Sequence, residues 1–376
     1  MFYDDSVSMV SHNIYVKRRT TQTNPHLHRY VRTEQPFRAG VFYCCNGVGS
    51  MIGGILSYGI GQINGFPVWK AVFLVCGGMT VIWGVVLLLL LPDSILSAKF
   101  FSLEEKALLV GRARLARTGV LNKSIKWNQV KEVFQDLQVW ILILFTLLNE
   151  VINGGIANFG KLIIKGIYGD PLRTAALGIP QGAFQVFWIL TGTYTATRAK
   201  NARTLVMAIW LIPTIIGVSL MWKMDRAQHG TSVLVAYYLV GLITPCSPNK
   251  SDKLTIYTGA YVTSLVLALQ MPTTNLGGYT KRITASGLVF LAYCAGNIIG
   301  PHAFLGEEAP LYPTGSKVML ACSVTQMVLA ICLRLLLIHR NKTRDEAAAS
   351  LGHQMDPEDT EGIDLTDFEV SARNDG

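Results

Sequence analysis

Charge is what this sequence has least of. Only 15% of its 376 residues are Asp, Glu, Lys or Arg, where a soluble chain carries roughly a quarter. A water-facing globular surface is therefore not what it builds. Its seven cysteines (Cys44, Cys45, Cys76, Cys246, Cys294, Cys322 and Cys332) form no CxxC pair. Six of them fall in apolar stretches, where a thiol packs as a small hydrophobe rather than as a disulfide partner or metal ligand. The seven histidines are scattered, with no GxSxG elbow and no paired acids beside them, so the constellations of a membrane-embedded enzyme are missing. We expect no enzyme, no metal and no cofactor. Residues 1–38 contain Lys17, Arg18 and Arg19 without an apolar run behind them, which is not a secretory signal. The formal charge of +9 sits in loops beside apolar segments, a pattern of topology control that argues against nucleic acid as a partner.

What the chain does have is hydrophobic length. Half of its residues are hydrophobic and its mean hydropathy is +0.35. A helix rises about 1.5 Å per residue, so about 20 apolar residues cross the hydrocarbon layer. Segment 68–91 meets this most clearly, with Lys70 near its start and no charge after it. Seven further segments can be drawn at 41–61, 138–158, 174–194, 204–222, 233–271 (interrupted), 284–304 and 316–338. The expected fold class is an all-α integral membrane helix bundle, and the lipid bilayer is its first partner.

The basic loops set the orientation. Arg29, Arg32 and Arg38, the 92–137 loop, Arg198 with Lys200 and Arg203, Lys281 with Arg282, and Arg340 with Lys342 and Arg344 all fall on one side. Both termini then face the cytoplasm, and Glu307 and Glu308 lie opposite. The organisation read from this is a polar segment at 1–38, two helices at 39–91, a basic loop at 92–137, a six-helix bundle at 138–338 and an acidic tail at 339–376, disordered beyond Asp345. In the basic loop, Ser102 and Glu105 form a capping box that starts a short amphipathic helix. Arg112, Arg114 and Arg117 would favour an anionic leaflet. The sequons at Asn122 and Asn341 fall on the cytoplasmic side and stay unmodified.

One segment breaks the pattern. Residues 237–270 should hold a single span, yet Pro245, Pro248, Lys250, Asp252 and Lys253 interrupt it. Charges at that depth cost several kcal/mol unless they line a cavity.

Polar groups inside the other spans mark the candidate site. Glu150 lies about a dozen residues into the third span, where an ionisable group normally faces a protein interior or a watery path. Asn149 precedes it, and Asn153 and Asn158 follow, interleaved with Gly154, Gly155 and Gly160, a combination that predicts a helix able to unwind and offer polar groups to a substrate. Proton coupling is the expected role of Glu150, because the neutral form of a buried carboxyl is the cheaper one. Gln181 and Gln185 share a face of the fourth span, as Tyr293 and Asn297 do in the seventh, and both pairs suit a central site for a small polar ligand. Gly49-xxx-Gly53 and Gly296-xxx-Gly300 are small-residue faces for close helix packing.

Several fragments carry a resemblance. Glu34-Gln-Pro-Phe-Arg-Ala-Gly40, Leu91-Pro-Asp-Ser94, Asn153-Gly-Gly155, Asn158-Phe-Gly160, Thr280-Lys-Arg282 and Gly296-Asn-Ile-Ile-Gly-Pro301 stand in the order found in fungal allantoate permeases. The set resembles that family, the anion:cation symporter branch of the major facilitator superfamily, from about Arg32 to Arg344. The resemblance implies a bundle of twelve helices, of which about eight are present, the chain looking shortened by the first four. It implies a monomer at the plasma membrane that imports a small organic anion with a proton, such as allantoate, nicotinate or pantothenate, by alternating access. Glu150 would carry the proton, while Asn153, Asn158, Gln181, Gln185, Tyr293 and Asn297 would meet the substrate. Arg198, Arg203, Lys281 and Arg282 would gate from the cytoplasmic loops. Thr193 and Thr197 stand where the superfamily's loop signature has a glycine and an acid, Ser286 replaces an asparagine, and Tyr279 replaces a histidine. Residues 241–257 have no counterpart and are expected to be an in-frame retained intron, which a full-length transcript carrying them would contradict. The alternative to transport is a shortened, non-transporting membrane protein or a faulty gene product of the same family.

Overall fold

The computed structural model describes residues 30–63, 65–90, 102–108, 125–168, 171–199, 201–223, 260–309 and 312–350. The chain divides into two units, 1–35 with 69–121 and 36–68 with 122–376. In the first unit α2 (Val68–Leu90) is a single helix with no buried residue. Its exposed Phe73, Val81, Trp83, Leu88 and Leu89 would be untenable in water and are at home in lipid. The predicted capping box forms there. The Glu105 N–H donates to Ser102 Oγ at 3.3 Å and the Ser102 N–H to Glu105 Oε2 at 2.9 Å, and a helical turn follows at 103–108.

The second unit holds α1 (Tyr30–Ile60, in this unit from Pro36), α3 (Trp127–Gln135), α4 (Leu137–Tyr168), α5 (Pro171–Arg198), α6 (Arg203–Lys223), α7 (Ala260–Asn275), α8 (Tyr279–Ile299) and α9 (Pro313–Ser350). Two turns force a left-handed backbone, and the residues there tolerate it. Asn201 (φ 55°) joins α5 to α6 and Gly278 (φ 81°) joins α7 to α8. The core is apolar, built from Leu142, Phe145 and Ile152 of α4, Met207 and Leu211 of α6, Val266 and Leu267 of α7, Val289 of α8 and Leu333 of α9. Outward faces stay apolar as well: Ile209, Ile212 and Ile216 line one side of α6, and Phe290, Leu291 and Ile298 are exposed on α8. Apolar inside and outside is the signature of a bundle solvated by lipid.

Small residues bring α4 and α8 into backbone contact. A Cβ on Gly154 would sit 2.7 Å from the Asn297 carbonyl oxygen, and one on Gly296 would sit 2.5 Å from that of Leu147. Gly296-xxx-Gly300 thus does the packing expected of it. Gly49 and Gly53 do not, as no described residue lies within 4 Å of either Cβ position. In α1 the close approach falls instead on Gly47, whose Cβ would meet the Gly182 carbonyl of α5 at 2.7 Å.

Two expectations are corrected. The helix expected to unwind near Glu150 is continuous from Leu137 to Tyr168, because its glycines are spent on contact: Gly154 against Asn297, and Gly155 against the Phe304 ring. The tail expected at 339–376 is helical through Ser350, as α9 continues past the apolar segment. Of eight expected spans, five described helices are long and apolar enough to cross a membrane, with Arg203–Ser219 a shorter apolar helix. The fourth expected span, α5, is polar in composition, yet its hydroxyls close on their own helix. Thr191, Thr193, Thr195 and Thr197 each donate to the carbonyl four residues back, at 2.6–2.8 Å, which removes most of the cost of burying them in lipid. The sixth span is described only from Ala260. The interruption at 241–257, the N-terminal segment at 1–29 and the basic residues Arg112, Arg114 and Arg117 lie outside the described residues.

Candidate functional site

Glu150 is fully buried midway along α4. Its Oε2 accepts from Asn153 Nδ2 at 3.1 Å and from Asn297 Nδ2 at 2.5 Å. The two amides also bond to each other, Asn153 Nδ2 donating to Asn297 Oδ1 at 3.1 Å. Asn297 Nδ2 donates as well to the Tyr293 carbonyl at 3.1 Å. An amide nitrogen carries two hydrogens, so all four are committed. The other carboxylate oxygen, Oε1, is buried and has no hydrogen-bond partner among the described residues. An ionised carboxylate held this way is costly, since the neutral amides do not balance its charge. What the arrangement can do chemically is hold a proton at Oε1 and exchange amide donors between Oε2 and an incoming acceptor.

The structure joins some of the predicted residues and separates others. Glu150, Asn153 and Asn297 form one cluster across α4 and α8, and Tyr293 reaches it through its backbone carbonyl. Asn158 is exposed and donates to the Gly154 carbonyl of its own helix at 2.8 Å, so it stands apart. Gln185 Nε2 approaches Asn46 Oδ1 of α1 at 3.4 Å, and Gln181 is half-buried on the same helix. This pair faces the α1–α5 contact, and no bond ties it to Glu150. Two tyrosines were not anticipated. Tyr261 of α7 donates its hydroxyl to Asn153 Oδ1 at 3.1 Å, and its carbonyl accepts from Asn149 Nδ2 at 3.2 Å. Tyr43 of α1 lies within electrostatic reach of Tyr293 and Glu150. A phenol in an otherwise apolar span was the available signal, because a buried tyrosine hydroxyl usually finds a partner.

A second polar cluster lies where α3 meets α4. Asp136 caps α4, its Oδ1 accepting the Gln138 N–H at 3.0 Å. Arg340 of α9 donates to that same oxygen at 2.9 Å, and Lys281 of α8 sits 3.1 Å from Oδ2 and 3.7 Å from Glu132. Lys281 is fully buried, so the residue expected in a solvated loop lies instead inside the first turn of α8. Burial alone would raise the Asp136 carboxyl, but the Arg340 hydrogen bond and the Lys281 charge outweigh it and hold it below its ordinary value. Arg282 is half-buried beside it. Arg198 is exposed, its guanidinium 5.3 Å from the centre of the Tyr194 ring. Arg203 opens α6. Lys281 and the other three basic residues thus do not form one group.

A helix bundle with lipid-facing apolar surfaces and a buried carboxyl–amide centre defines a multi-pass membrane protein of the transporter class. Residues 26–301 match the Major Facilitator Superfamily, and the chain belongs to that family. It is 35% identical over 343 residues to an uncharacterized transporter of Schizosaccharomyces pombe, covering 90% of this chain and 61% of the relative. It is 29% identical over 351 residues to the allantoate permease of Saccharomyces cerevisiae, covering 91% and 61%. It is 29% identical over 344 residues to a thiamine pathway transporter of the same yeast, covering 90% and 61%. The chain thus spans 61% of the length of each of these three relatives. No solved structure matches it. The expected fold class holds, and the family is one of transporters, not enzymes.

Proposed function

We propose that the chain carries out proton-coupled import of a small organic anion, a carboxylate of the allantoate, nicotinate or pantothenate kind, by alternating access. It would act as a monomer in the plasma membrane with both termini cytoplasmic. The observation that carries this is the Glu150 cluster, in which every amide hydrogen of Asn153 and Asn297 is engaged while Glu150 Oε1 has no partner among the described residues. With Glu150 ionised, the amides are held by its own carboxylate, and a substrate carboxylate would meet like charge with no amide donor available. Protonation at Oε1 removes the charge and weakens Oε2 as an acceptor, which releases amide hydrogens for the substrate. Substrate and proton would then bind together, as a symporter requires. The six-helix portion at 138–338 would hold this site, and 39–91 would contribute two helices of the facing bundle. The likeness to an allantoate permease supports a carboxylate; the likeness to a thiamine pathway transporter leaves the range of substrates to experiment.

The test is uptake of labelled allantoate, nicotinate and pantothenate by the chain in proteoliposomes with an imposed pH gradient. Glu150→Gln should abolish acceleration by the gradient while leaving exchange of pre-loaded substrate. Gradient-driven uptake of unchanged rate in Glu150→Gln would overturn the role of Glu150, and absence of any flux from well-folded protein would overturn transport by this chain.

A further inference from the structure

The amide of Asn153 is the hinge of the Glu150 cluster, because either end of it could in principle face the carboxylate. Its nitrogen serves Glu150 Oε2 and Asn297 Oδ1, and its oxygen accepts from the Tyr261 hydroxyl at 3.1 Å. Tyr261 is 5% exposed and comes from α7, a helix other than those that carry the rest of the cluster. Its backbone is held in turn by Asn149 Nδ2.

We infer that Tyr261 is a positioning residue for proton coupling: by donating to Asn153 Oδ1 it fixes which end of that amide faces Glu150. This rests on the proposed role of Glu150. A phenol hydroxyl can donate or accept; with both Asn153 amide hydrogens given to Glu150 Oε2 and Asn297 Oδ1, it donates to the amide oxygen and so favours the arrangement with the nitrogen end toward the carboxylate. Without the hydroxyl, the amide can rotate and set its oxygen against Glu150, replacing a donor by an acceptor. The groups facing Glu150 are Asn153 of its own helix, Asn297 and Tyr293 of α8 and Tyr43 of α1. Tyr261 of α7 faces it through Asn153. From α9, Gln326 reaches the Phe145 carbonyl instead, and no described basic side chain bonds to Glu150. The polarity of the Asn153 amide is therefore the main variable around the carboxyl that a single hydroxyl can set.

Tyr261→Phe keeps the ring and removes only the hydroxyl. In proteoliposomes the pH at which uptake falls to half should move up by about one unit, a tenfold change, the size expected for one hydrogen bond to a charged group. Tyr261→Phe combined with Asn153→Ala should have the pH profile of Asn153→Ala alone, because the inferred effect on Glu150 passes through that amide. An unmoved pH profile, or additive effects in the double variant, would overturn the inference. Infrared difference spectroscopy separates it from the transport reading. The carbonyl band of the protonated Glu150 carboxyl, assigned by its loss in Glu150→Gln, titrates whether or not the chain carries substrate. Displacement of that titration in Tyr261→Phe, together with no flux from the wild-type chain, would sink the transport reading and uphold the positioning of the Asn153 amide; no displacement would overturn the positioning role.

Discussion

At the scale of single residues, the two asparagines that looked alike in the sequence divide sharply. Asn297 donates to a buried carboxylate at 2.5 Å, and a hydrogen bond to a charged group is worth about 1.5–3 kcal/mol. Asn158 is exposed and bonded within its own helix. Asn297→Ala should therefore lower thermal stability in detergent by that order and raise the KM for substrate, while Asn158→Ala should stay within about 0.5 kcal/mol of wild type. Equal effects of the two would contradict the cluster. Spacing along a helix showed that these residues were polar within a span. It could not show which pair meets, because Glu150 and Asn297 are 147 residues apart in the chain and their contact exists only once α4 and α8 pack.

At the scale of elements, the glycines near Glu150 invite two interpretations, local unwinding or close packing, and the contact between α4 and α8 selects packing. Gly154→Ala would place a Cβ 2.7 Å from a backbone oxygen of Asn297, which cannot yield as a flexible side-chain end would. Such overpacking costs about 1–3 kcal/mol, and it would also push Asn297 away from Glu150. Gly287→Ala on α8 is the contrast. No described residue lies within 4 Å of its Cβ position, so the better helix propensity of alanine should raise stability by up to about 1 kcal/mol. Melting curves of the two variants in one detergent check both signs together. The helices themselves were legible from apolar length, and α5 was legible despite its threonines. The continuity of α4 was not, since a glycine pattern is the same whether the helix bends or docks.

At the scale of the whole molecule, the ion cluster at Asp136 ties α3, α4, α8 and α9 into one end of the bundle. Removing the Asp136 carboxylate would break the shorter Lys281 pair and leave Glu132 at 3.7 Å from that buried ammonium, and breaking a buried pair this way costs up to about 3–5 kcal/mol. Asp136→Ala should destabilise by that order, measured by thermal unfolding in detergent at neutral pH. The pH dependence follows with a definite sign. The folded Asp136 carboxyl is held below its ordinary value of 3.8, so its contribution is fully present above that value. It is lost as the pH falls through the lowered folded value. Acid unfolding should accordingly begin below about pH 4, and Asp136→Asn should flatten that limb of the curve. A mutant curve parallel to wild type would show that other carboxylates carry the acid sensitivity.

The sequence by itself determined the solvent of this protein. Scarce charge and repeated apolar runs of membrane length dictate helices in lipid, because no other arrangement satisfies so many backbone groups away from water. It also placed an ionisable Glu150 at mid-span, where its cost demands a partner. Only the tertiary structure decided the partners. Lys281 looked like a loop cation and proved to be a buried counter-charge, since charge alone does not tell whether three helix ends converge on it. Tyr261 was not singled out in the sequence, and it donates to an amide on another helix. Hydrophobic length is a local property of the chain, whereas hydrogen-bond direction and ion pairing depend on which helix faces depend on each other after packing.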